Sequence, residues 1–105
     1  MQIIALEKEL TGANSHDFEP HLLAEAARAW ELYQSGLIRQ IYFRQDWPGA
    51  VLILECASLA EAKTTVETLP LVRQGLIAFD FIPLKPYPGF ARLFGSDWPL
   101  ESSTP

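Results

Sequence analysis

The sequence predicts an α+β domain with the element order β-α-β-β-α-β, in which four antiparallel strands form one sheet and both helices cover the same face. Three observations carry this. Two segments repeat apolar residues at intervals of three and four, which defines the buried stripe of a helix. Four short runs rich in Ile, Val, Leu and Phe surround them in the order that split βαβ connectivity requires. The last run, Leu76-Ile77-Ala78-Phe79-Asp80-Phe81-Ile82-Pro83-Leu84, is apolar on both faces of any strand it forms, so it needs two covers. The helices supply one. In a chain of 105 residues the second is expected from another copy, which predicts a homodimer or a larger homo-oligomer built from dimers.

Each element has its own signal. Residues 2–8 form an apolar run ending in charge, followed by the loop composition Thr11-Gly12-Ala13-Asn14-Ser15, and read as the first strand. Over residues 18–35, Phe18, Leu22, Ala26, Ala29, Trp30 and Tyr33 lie on one helical face; Ser15 and Asp17 offer capping oxygens, Pro20 fits only the first turn and Gly36 stops the helix. Trp30 and Tyr33 are expected in the core. Residues 37–44 and 50–57 read as a β-hairpin closed by Asp46-Trp47-Pro48-Gly49. Ser58 with Glu61 opens the second helix as a capping box, and Leu59, Ala62, Val66 and Leu69 share its inner side. Pro70 and Gly75 bracket the exit to the last strand.

The domain is expected to span residues 1–95, with 96–105 a flexible tail. The aromatic arm after Pro86 has two readings, Phe90, Leu93 and Phe94 folding onto their own subunit or reaching across to a partner. A chain of this length buries roughly two thirds of its unfolded surface, enough for a core without disulfides or metals. Hydrophobic residues at 49% and charged residues at 20% argue against global disorder. The net charge of -5 lacks the basic footprint of a nucleic-acid binder. With Cys56 the sole cysteine, neither an internal disulfide nor a multi-cysteine metal site can form, and its strand setting suggests an inert core thiol. His16 and His21, five apart, match no metal spacing, and no glycine-rich phosphate loop appears, so no metal or cofactor is expected. The absence of a basic leader and of an apolar run of ~20 residues predicts a cytoplasmic protein that does not enter a membrane.

The segment Leu69-Pro70-Leu71-Val72-Arg73-Gln74-Gly75-Leu76, with its apolar strand and Lys85-Pro86-Tyr87, resembles the last third of the YCII-like proteins. Leu69-Pro70-Leu71 after a helix is also similar to muconolactone isomerase. Both families belong to the dimeric α+β barrel superfamily, whose ferredoxin-like monomers pack sheet against sheet. The resemblance implies that fold, a homodimer, and cofactor-independent proton transfer on a small organic acid or lactone. The His-Asp pair associated with YCII-like proteins is incomplete here. Leu69 stands at the aspartate position; His21 is the nearest counterpart of the histidine, while an ungapped count back from Gly36 brings Glu25 to that place.

If Gln45 pairs with Ala50, then Gln40, Tyr42, Arg44 and Glu55 share one face of the hairpin, and Leu37, Ile41, Phe43, Leu52, Leu54 and Cys56 share the other with Arg39. The second set is expected against the helices and the first toward a partner sheet. Buried polar groups must be paired or wetted, so Arg44, Glu55, Tyr42 and Asp80 form either a satisfied interface network or a pocket. In the pocket reading, Glu55 or Asp80 moves a proton while Tyr42 or an arginine steadies an enolate-like oxygen. The alternative to an enzyme is a non-catalytic module that binds a small molecule or serves assembly.

Overall fold

A computed structural model of the protein describes residues 1–8, 10, 12 and 14–95. The tail expected to be flexible, 96–105, lies outside these residues. Strand β1 (Gln2–Lys8) sits in the middle of a four-stranded antiparallel sheet of order β2-β3-β1-β4, flanked by β3 (Ala50–Glu55) and β4 (Ala78–Pro83), with β2 (Ile38–Phe43) at one edge. The connections are a helical segment between β1 and β2 and helices α3 (Leu59–Val66) and α4 (Pro70–Arg73) between β3 and β4. This is the ferredoxin-like α+β arrangement that the pattern of apolar runs predicts.

The first helical segment is less uniform than a single 18–35 helix. A turn of α1 (Ser15–Phe18) passes through a 3-10 turn (Glu19–His21), which accommodates Pro20, before α2 (Leu22–Ser35) begins. Its cap is Asn14, one residue ahead of the expected Ser15. The Asn14 side chain accepts the His16 and Asp17 N–H groups, and the Asp17 carboxylate accepts the Asn14 N–H in return. Gly36 ends α2 at φ 88°, a left-handed conformation that favours glycine. At α3 the Ser58 hydroxyl accepts the Glu61 N–H, while the Glu61 carboxylate reaches one residue further back, to the Ala57 N–H.

The core lies between the helices and one sheet face, where Ile3, Ala5, Leu52, Leu54 and Phe79 are buried with Leu32, Ala62, Val66 and Leu69. The hairpin faces follow the expected parity, but its register differs by two. Phe43, rather than Gln45, stands opposite Ala50. The Arg44 guanidinium folds onto the Asp46 carboxylate and over the Trp47 ring, and the Arg44 N–H closes the loop on the Gly49 carbonyl, so the strand ends at Phe43. Trp47 lies so close over Gly49 that a Cβ there has no room. A bulge between Ile38 and Gln40 turns Ile38 into the core alongside the partly buried Leu37.

One further expectation changes. Trp30 and Tyr33 stack on each other, ring centroids 5.7 Å apart, and are 57% and 47% exposed instead of lying in the core. Residues Pro88–Phe94 form a 3-10 turn with Gly89 buried; the preceding Tyr87 meets Phe90 edge-on at 5.0 Å, while Phe90 and Leu93 are 66% and 77% exposed among the described residues.

Among the described residues, none covers the second sheet face. Alternation sends Ile4, Leu6, Val51, Ile53 and Ile82 to that side, where each keeps solvent contact. Among the described residues no helix is long and apolar enough to cross a membrane.

Candidate functional site

Helix α2 touches the core firmly only at Leu32, its one buried residue. Further toward its N-terminus, the helix lines the space above the sheet with two small residues, the exposed Ala26 and the half-buried Ala29, the latter packed partly against the core. The gap beneath is a cavity of about 310 Å³, walled by Ala26 and Ala29 above, Ile41 and Phe43 from β2, Leu52 from β3 and Leu71 from α4. Among the described residues lining it, Glu25 is the one that carries a charge.

Local folding explains why a carboxylate stands there. Helix α4 begins after Leu69, which has no side-chain oxygen to cap it, and the first N–H groups of any helix lack partners within it. The Glu25 Oε1 accepts one of them, the Leu71 N–H, at 2.9 Å. Burial pushes the Glu25 carboxyl above the ordinary carboxylate range, this hydrogen bond partly offsets the rise, and the nearby charge of Glu7 adds to it. Glu7 is the second half-buried carboxylate on this side of the sheet. It follows Ile3 and Ala5 on the inward parity of β1, and its Oε1 accepts the Ala50 N–H at 2.9 Å, where the β1–β3 ladder ends. Burial raises its pKa too. Glu7 lines an adjoining depression with Phe18, Trp47 and Ile77, and Ile77 borders both spaces.

The residues singled out from the sequence fall elsewhere and do not meet. Glu55, on the open sheet face, accepts from the Met1 ammonium at 2.6 Å, and that hydrogen bond holds its carboxyl below the usual range. Asp80 pairs with Lys8 at 3.2 Å on the same face and borders an open groove beside α3. Tyr42 is exposed near the β2 edge, next to the Trp30 and Tyr33 stack. Arg44 holds Asp46 at 2.9 and 2.7 Å and lies 5.5 Å from the Trp47 ring centre. His21 ends the 3-10 turn before α2. Cys56 is buried, and its thiol is pushed up by that burial. Among the described residues no group of three or more His, Cys, Asp or Glu is placed to hold a metal ion.

Sequence reasoning passed over Glu7 and Glu25 as chemistry, although each had a signal. Strict alternation from Ile3 puts Glu7 inward, and the count back from Gly36 lands on Glu25.

No known family profile matches the chain, and no curated protein does. A solved structure does: 5-chloro-2-hydroxyhydroquinone dehydrochlorinase of Burkholderia phenoliruptrix AC1100, in complex with 2,5-dihydroxybenzoquinone. The two share 22% identity with a TM-score of 0.66, over 83% of this chain and 96% of that one. The likeness is one of fold. What the two chains share is the four-stranded antiparallel sheet with its helices, a ferredoxin-like α+β arrangement.

Proposed function

We propose that this protein is a small, cofactor-independent enzyme that moves a proton on a small carbonyl compound such as a lactone, with Glu25 as the acid–base group. The observation that carries the reading is Glu25 as the single charged side chain in the wall of an otherwise apolar cavity. Burial there raises the carboxyl above the ordinary carboxylate range, the direction that makes one group a better proton acceptor and keeps it able to return the proton. In the ionised form the Glu25 carboxylate removes a proton from a carbon conjugated with the ring carbonyl. The electron pair of that C–H bond moves into the ring as an enolate, and return of the proton to a second carbon gives the isomer, with no net change in electrons. The activity of the structural neighbour, dehydrochlorination of 5-chloro-2-hydroxyhydroquinone, supports a single-ring ligand of comparable size.

The working unit in this reading is a cytoplasmic homodimer with the open sheet faces packed together. Glu55, Asp80 and Tyr42 belong to that face and serve the contact, and Arg44 secures the hairpin end beside it. His21, which precedes the cavity-lining Leu22 in sequence, is a second proton carrier in this reading.

Proton NMR in deuterium oxide tests the reading with an unsubstituted butenolide, the unsaturated five-membered lactone, as probe. Exchange of its ring protons should be accelerated by the protein and lost in Glu25→Gln. No acceleration at all would leave the non-catalytic binding or assembly module, and acceleration that persists in Glu25→Gln would overturn Glu25 as the acid–base group.

A further inference from the structure

The walls of the α2 cavity say what kind of ligand it accepts. Resting on the reading of Glu25 as the reactive group, we infer that the site selects an uncharged, single-ring molecule bearing one hydroxyl or carbonyl, and rejects organic-acid anions. Among the described residues lining the cavity there is no lysine, arginine or histidine. An anion entering it would lose its water, gain no counter-charge, and stand beside Glu25 with Glu7 close behind. A cation is poorly served as well, since Glu25 is the one polar side chain in the wall and an ammonium group carries three donors.

An uncharged ring fits each wall. Leu52, Ile41 and Phe43 offer apolar surface, and the Glu25 carboxyl, with Oε1 occupied by the Leu71 N–H, has Oε2 for one ligand hydrogen bond. At about 310 Å³ the cavity lies at the small end of the ~300–1,000 Å³ typical of ligand sites, room for one substituted ring and not for a nucleotide. The small organic acids implied by the sequence resemblance are therefore the wrong charge class for this cavity.

Three probes of matched size test the charge rule: benzyl alcohol, benzoate and benzylamine, titrated into the full-length protein near neutral pH and followed by amide NMR shifts of Leu71, Ala50 and Ile41. Benzyl alcohol should bind at least about ten-fold more tightly than benzoate, with benzylamine no tighter than the alcohol. In Glu25→Gln, which keeps an acceptor for the Leu71 N–H, the alcohol-to-benzoate ratio should fall to within about three-fold. Equal or tighter binding of benzoate, tighter binding of benzylamine, or a ratio unmoved by Glu25→Gln would overturn the rule. Binding that appears only after Phe90→Ser and Leu93→Ser together would overturn it also, by assigning the cavity to the arm of a second copy. The proton-transfer reading fails separately, through butenolide exchange that survives Glu25→Gln, and it survives equal binding of benzoate.

Discussion

The Glu25 carboxylate accepts the Leu71 N–H at 2.9 Å, so a side chain of α2 completes the first turn of α4 while it lines the cavity. The contact has a structural cost when broken. Glu25→Ala leaves the Leu71 N–H without its partner and should destabilise the fold by about 1 kcal/mol, whereas Glu25→Gln should stay within about 0.5 kcal/mol of the parent. Urea unfolding of both variants distinguishes them.

The two inward carboxylates also make stability depend on pH. Glu7 and Glu25 have folded pKa values raised above the ordinary 4.5, so their contribution is complete below that value and is lost as pH rises through the raised ones. Glu55 works in the opposite sense. Its folded pKa is lowered by the Met1 ammonium, so its contribution is present above 4.5 and is lost on acidification. Replacing Glu7 and Glu25 together by Gln should therefore flatten the fall in stability as pH rises above 4.5, measured by urea midpoints over a pH series.

The open sheet face gives a prediction about assembly. Ile53 lies between Gln40 and Ile4 in register, and Ile4 in turn stands opposite Ile82, so an aspartate at Ile53 places a charge in the middle of the apolar surface. Ile53→Asp should sediment as an 11.8 kDa monomer at concentrations where the parent is a dimer. A parent that itself sediments as a monomer would contradict the two-cover requirement of β4.

The hairpin end depends on one close approach. Gly49 has no room for a Cβ beneath Trp47, so Gly49→Ala should cost about 1–3 kcal/mol. Combining it with Trp47→Ala should cost less than the sum of the single changes, because the two residues share the contact. Thermal unfolding of the four proteins closes the cycle.

Much of the fold was legible because it rests on periodicity. Alternation in Ile3, Ala5, Leu52 and Leu54 and the Ala62–Val66–Leu69 spacing each set a buried face directly. The hairpin register was not, since nothing in Asp46-Trp47-Pro48-Gly49 announces that Arg44 will leave the ladder to bind Asp46 and cover Trp47. Trp30 and Tyr33 misled for a related reason. Their spacing matches a core stripe, but Leu32 takes the buried position instead. The candidate site was the least legible part. A cavity arises where side chains are small, as at Ala26 and Ala29, and the alanines of a helix read the same whether they pack or leave space.

Those two alanines separate ligand preference from foldability. The void beneath α2 is sized by a pair of methyl groups on a helix already anchored at Leu32, while sheet and core are built by other residues. Ala29→Leu should fill much of the space, raise stability by up to about 1 kcal/mol and abolish benzyl alcohol binding, read by thermal unfolding and the same NMR titration. Such a scaffold can change the width of the ring it accepts through substitutions at Ala26 or Ala29, leaving the strands untouched.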